Sequence, residues 1–325
     1  MALLALWVAG LFAYQLPGPG WLSAGVAVLW LLAALWTALT VARGKRTKRW
    51  TGFYVASVAL AGLWWLLLTP RQDRDWADDV AQRLHVESFD GRHVVLDNVR
   101  DFTWRTETDH DARWVRREYD LDQLRSADLV LSYWMGPAIA HTLVSFGFDD
   151  GRHLVFSLEI RKEQGESFSA LGGFFRRFEM TLVASEETDI LRTRTNARGE
   201  DVYLYRLHGL DRGQLKALFA AYLDEAKQLD AAPAFYNTAT SNCTTIVFDL
   251  ARHIAPGLPL DYRLLLSGYL AEYAQEVGGL MPGVPYAELH AKGRITERAL
   301  HMAAGENYST VIRRGIPGTE QDPQQ

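Results

Sequence analysis

Apolar residues are distributed unevenly along this chain. Residues 21–42 and 50–69 carry no charge and are each long enough to span a bilayer as a helix. Between them, residues 43–49 hold five basic side chains in one short loop, the pattern that marks a cytoplasmic turn. The two segments therefore predict a transmembrane hairpin with both far ends outside the cytoplasm. Trp21, Trp50, Trp64 and Trp65 stand where interfacial anchors belong. Residues 2–14 are apolar but short, and Leu16-Pro17-Gly18-Pro19-Gly20 ends them, so they form either a third span or an incomplete one. A signal peptide fits less well, because a basic n-region is missing.

Beyond residue 70 the periodicity changes. Residues 86–96 alternate about an Asp90-Gly91 turn and predict a hairpin. Further strands fall near residues 102–105, 114–119, 127–134, 181–184 and 202–207. Residues 211–229 carry Leu215, Leu218, Phe219 and Tyr222 along one helical stripe. The clearest hairpin joins residues 141–148 to 152–161 through Asp149-Asp150-Gly151. A three-residue loop with a left-handed glycine places His141 opposite Glu159, with His141, Leu143, Ser145, Val155, Ser157 and Glu159 on one face. A two-residue turn would put Ile160 there instead. Residues 165–179, rich in phenylalanine, predict a helix packed on the sheet or an amphipathic segment touching a membrane surface. These elements give an α+β fold: a transmembrane region at 1–69, a juxtamembrane linker at 70–89, a globular domain at 90–260, and a C-terminal extension at 261–325 whose tail from Gly315 reads as disordered.

Composition adds little except at cysteine. The net charge is -5, and no long basic tract after the first fifty residues suggests nucleic acid. No phosphate-cradling glycine loop, HExxH or metal-spaced Cys/His cluster occurs, so neither a metal nor another cofactor is expected. Cys243 is the only cysteine. It follows Ser241-Asn242 and precedes Ile246, Val247, Leu250 and Ile254 at helical spacing, which puts it at a helix N-terminus where unpaired N–H groups and the macrodipole favour a thiolate. In an oxidising exterior compartment a thiol with no partner is a candidate reactive group.

A cysteine nucleophile needs a base, and the base needs a group that fixes its tautomer. His141 is the expected base and Glu159 the expected orienter, with Ser157 second; His153 is the rival base. The Cys243 N–H, with Asn242, Tyr236 or Asn237, is the expected oxyanion donor set. Arg161, Arg176 and Arg177, with Lys162, are candidates for holding a lipid phosphate, or simply form a solvated face.

The strings HTLVSFGFDDGRHLVFSLEIRKEQGESFSALGGFFRRFEM, TRTNARGEDVYLYRL and FYNTATSNCTT resemble the periplasmic domain of the bacterial lipoprotein N-acyltransferase Lnb family. That family is similar to permuted papain-like thiol enzymes of the NlpC and lecithin:retinol acyltransferase type, with an antiparallel sheet and a cysteine-bearing helix. The resemblance implies catalytic roles for His141 and Cys243, a third role for Glu159, and membrane lipids or lipoproteins as partners, with the domain on the periplasmic side of the inner membrane. A cysteine amidase or peptidase on cell-wall peptides uses the same groups, and a non-enzymatic envelope scaffold would use none of them.

Overall fold

The computed structural model describes residues 1–44 and 48–319; Lys45, Arg46 and Thr47 of the expected cytoplasmic loop lie outside the described residues. The chain forms two compact units. One comprises Met1–Arg74, Ser167–Glu179 and Ala234–Thr238; the other comprises Asp75–Glu166, Met180–Pro233 and Ala239–Gln325.

The first unit is helical. Helices α1 (Ala2–Gln15), α2 (Gly20–Ala42) and α3 (Lys48–Leu67) enclose Val8, Leu11, Trp30 and Tyr54. With little water to satisfy them, the polar groups inside bond to the backbone: Trp30 Nε1 donates to the Ala5 carbonyl (2.9 Å) and the Tyr54 hydroxyl to that of Met1 (2.7 Å). The outward faces of α2 and α3 stay apolar, with Leu29, Leu32, Trp36, Phe53, Leu60 and Leu66 exposed. Helices α2 and α3 are long and apolar enough to cross a membrane. At 14 residues, α1 rises about 21 Å, short of a hydrocarbon core of about 30 Å. It is thus an incomplete span lying against the hairpin.

Residues 165–179 contribute only one short helix, α4 (Ala170–Phe174), and they do not pack as the expected sheet-covering helix. Within the helical unit Phe175 stacks on Tyr14 of α1, ring centroids 5.6 Å apart, and meets Trp65 edge-on.

The second unit is built on a mixed eight-stranded sheet. Its strands are β1 (His85–Phe89), β2 (His93–Arg100), β5 (Trp114–Asp120), β6 (Leu124–Tyr133), β7 (Ala140–Phe148), β8 (His153–Arg161), β9 (Glu179–Glu186) and β10 (Asp201–Arg206), with β3 (Thr103–Trp104) and β4 (His110–Asp111) forming a separate small ribbon. The order is β1-β2-β9-β8-β7-β6-β10, with β5 paired to β2. The expected all-antiparallel sheet is corrected at one seam: β2 and β9 meet parallel, through Arg100 and Ser185. Strands so distant in sequence are joined by intervening structure, which frees them from the hairpin constraint.

Hairpin β7–β8 has the register that its turn dictates. Gly151 sits at φ 82°, Phe148 donates to the Arg152 carbonyl (3.0 Å), and Leu143 pairs with Ser157. Continued by two residues, that register sets His141 against Glu159.

Helices cover both faces. On one, Phe146 and Phe156 pack on Phe219 and Tyr222 of α6 (Arg212–Ala231), which starts with an Asp211–Gln214 capping box. Helix α7 (Cys243–Arg252) contributes Phe248 to a cluster with Leu129, Leu131 and Ala140, joined by Leu270, Ala271 and Tyr273 of α8 (Leu270–Glu276) and Leu289 of α9 (Tyr286–Gly293). On the opposite face Val130, Leu143, Val155, Val202 and Leu204 meet Ile190 and Leu191 of α5 (Glu187–Arg192), Ala299 of α10 (Thr296–Leu300) and Ile312 of α11 (Tyr308–Arg313).

Residues within 261–319 therefore help build the core rather than form an appended extension. The expected disordered tail also starts too early at Gly315, because Ile316 is 2% exposed within that core. Residues 320–325 lie outside the described residues.

Candidate active site

Helix α7 begins at Cys243 because Asn242 caps it. The Asn242 side-chain oxygen accepts from the N–H groups of Thr244 and Thr245 (2.9 Å each), and Thr245 Oγ1 accepts from the Asn242 N–H (2.9 Å). The cap thus spends the two N–H groups after Cys243 and leaves the Cys243 N–H outside it. One residue on, the Thr244 and Thr142 hydroxyls bond at 3.0 Å and fix the helix start to β7.

His141 is the second residue of β7, close enough to the Cys243 thiol for the two groups to shift each other's proton affinity. Its Nε2 lies 2.7 Å from Ser157 Oγ and 3.2 Å from Glu159 Oε1, and Ser157 donates onward to the same carboxylate oxygen (2.7 Å). With Nε2 engaged on that side, Nδ1 is the nitrogen left for sulfur. His141 and Cys243 are both buried.

Burial and charge oppose each other at all three groups. Burial alone would lower the basicity of His141, but the Glu159 carboxylate and the facing sulfur push it up to about 9. Burial would raise the Cys243 thiol; the His141 charge and hydrogen bond, with the Thr142 N–H and the Thr244 hydroxyl, bring it below its ordinary value. Glu159 is held well below the carboxylate range despite burial, first by His141 and then by Arg194 and Ser157. The set favours a thiolate–imidazolium pair.

Arg194 is the residue that the sequence pattern did not reveal. Its Nη2 donates to Glu159 (2.9 Å) and its Nη1 to Glu200 (3.2 Å), and Glu200 also accepts from Ser132. A π-helical turn, Thr193–Ala197, carries it. The Thr-Arg-Thr-Asn string is visible in sequence, but nothing in its spacing points to a carboxylate on β8 and a second in the loop before β10.

The other expected residues have partners of their own. His153 bonds the Gly151 carbonyl (3.1 Å) and lies 4.0 Å from Glu187, in a different cluster, and burial lowers its basicity. Tyr236 belongs to the helical unit, where its N–H donates to the Phe178 carbonyl (3.0 Å). Arg161 is buried, donating to the carbonyls of Val80 (3.1 Å) and Ala81 (2.7 Å) with Trp76 under its guanidinium, so it does not form a solvated phosphate site. Arg176 and Arg177 lie in the helical unit, over the rings of Trp65 and Tyr14.

The geometry predicts enhanced thiol reactivity. At pH 7 a small neutral alkylating reagent such as iodoacetamide will label Cys243 faster in the wild type than in His141→Ala, by about tenfold or more. Removing the imidazolium leaves burial to raise the thiol, and one pKa unit is a factor of ten in thiolate. Equal rates measured by mass spectrometry would show that His141 does not activate the sulfur.

Residues 110–268, just under half of the chain, match the family model described as the Lnb N-terminal periplasmic domain. No curated protein and no solved structure matches the chain.

Proposed function

We propose, from the match of residues 110–268 to the Lnb N-terminal periplasmic domain, that this chain is a membrane-anchored, periplasmic cysteine acyltransferase or hydrolase acting on lipid or lipoprotein acyl groups. The observation that carries this reading is Cys243 at the start of α7 beside His141, whose Nε2 is held by Ser157 and Glu159. In the proposed reaction the Cys243 thiolate attacks an ester carbonyl. The carbonyl oxygen takes the negative charge next to the Cys243 N–H, at the positive end of α7. The C–O bond breaks, His141 gives its proton to the departing alkoxide, and an acyl-cysteine thioester remains. An amine or water then attacks the thioester, His141 removes a proton from it, and the thiolate leaves.

A helix-start cysteine facing a histidine on an earlier strand is the permuted papain-like arrangement, here in the order His141, Glu159, Cys243. The apolar helices α2 and α3 supply the tether: a catalytic domain attached to the bilayer meets lipid at high effective concentration. The basic residues of 43–49 support a domain outside the cytoplasm, on the outer side of the inner membrane.

The test is capture of the intermediate. Full-length protein mixed with phospholipid vesicles and quenched in acid is expected to yield a peptide carrying Cys243 with the mass of one acyl chain, cleaved by neutral hydroxylamine. No thioester on lipid, together with a covalent adduct from a cell-wall peptide, would assign the site to amide chemistry instead.

A further inference from the structure

Residues 168–177 are tied to the ends of the N-terminal helices by bonds that fix their depth. Gln15, the last residue of α1, donates through Nε2 to the carbonyls of Phe175 (2.6 Å) and Arg176 (2.8 Å). Arg176 Nη1 donates to the carbonyl of Trp65, near the end of α3, and its guanidinium lies 4.5 Å over that ring. Phe175 fills the space above Gly10 so closely that a Cβ there would come 2.1 Å from its Cζ. Gln15 and Trp65 sit at the helix ends away from the basic loop, which is the outer membrane interface.

At that level three apolar side chains face outward: Leu171 is 61% exposed, Phe174 43% and Phe168 38%. Tyr14, Trp64 and Trp65 form an aromatic belt at the same helix ends, and Arg176 and Arg177 lie among them. Outward apolar tips, rings that favour the interface and arginines at phosphate depth together match a lipid headgroup boundary, where apolar tips leave water and guanidinium groups meet phosphate.

We propose that residues 168–177 form an interfacial lipid-binding element, which seats Leu171 and Phe174 in the outer leaflet at the boundary between acyl chains and headgroups. This rests on the direction of the membrane hairpin and is independent of the chemistry at Cys243.

The experiment uses the full chain with Cys243→Ser, which removes its single cysteine, in nanodiscs of phosphatidylethanolamine and phosphatidylglycerol. A nitroxide on Leu171→Cys is read by power saturation with oxygen and with a water-soluble nickel chelate. The expected result is oxygen access several-fold above nickel access. A label that nickel reaches more readily lies in water, and one that neither reagent reaches is covered by protein; either result overturns the proposal. Phe174→Cys gives the same reading where Leu171→Cys does not fold.

Discussion

Cys243→Ala will reduce acyl transfer, measured as turnover of labelled phospholipid in vesicles, by at least about 10³-fold, because removal of a nucleophile leaves only the binding and oxyanion contributions. Its folding should change little by comparison, since the substitution deletes one sulfur beside an intact Asn242 cap. In the wild type the same assay should follow a bell. Activity rises as Cys243 loses its proton below the ordinary thiol range, then falls as His141 loses its own near pH 9. The limbs belong to the pair, so His141→Ala should remove the alkaline fall together with most of the rate. A variant lacking Cys243 that retains full turnover would place the chemistry elsewhere.

The largest expected loss of stability comes from a residue far from the sulfur. Arg313, on α11, donates to Asp128 on β6 (2.7 Å) and to Glu187 at the start of α5 (2.8 Å), and Ser145 on β7 donates to Glu187 as well (2.6 Å). Arg313, Asp128 and Glu187 are all buried. Arg313→Ala strands charge in the core and should cost about 3–5 kcal/mol. That is a large share of the roughly 5–15 kcal/mol that a domain possesses. Chemical denaturation of the solubilised chain measures it, and a loss below about 1 kcal/mol would mean that the cluster relaxes without its cation.

The pH dependence gives a second readout. Burial would raise the Glu187 carboxyl, but Arg313 pulls it far below the carboxylate range. The stabilisation from a depressed carboxylate is present above its unfolded pKa of about 4.3 and is lost as pH falls toward the folded value. In Arg313→Ala the buried carboxyl prefers its proton, so the gap between wild type and variant should widen from pH 4 to pH 7.

Hairpin β7–β8 was legible in the sequence because alternation and an Asp-Asp-Gly turn determine register within twenty residues, and register alone carries His141 to Glu159. The start of α7 was legible because Asn242 and Thr245 write a cap locally. Arg194 and Arg313 were not, because each is defined by carboxylates from separate elements that come together only in the folded domain, and a lone arginine has no period. The same limit hid the parallel seam between β2 and β9. It also left residues 261–319 reading as turn-rich periphery, although their scattered apolar side chains complete both layers over the sheet. Residues 165–179 left a sheet-covering helix and a membrane-surface segment both open, because phenylalanines at helical spacing give no sign of which surface receives them; in the structure Phe175 meets Tyr14 and Trp65.

The double hold on His141 Nε2 has a consequence for the order of events at the sulfur. A half-turn of the imidazole would break its contacts with Ser157 and Glu159 in one motion, so the ring does not pivot between two reactants. Every proton that enters or leaves must pass through the one nitrogen turned toward Cys243. In the proposed reaction the departing alcohol and the incoming nucleophile would therefore compete for a single doorway, and the first would vacate it before the second arrives. Under the proposed acyl-cysteine chemistry the sulfur would hold the acyl group through that interval, and exchange would run in two separate visits rather than by a meeting of two bound partners.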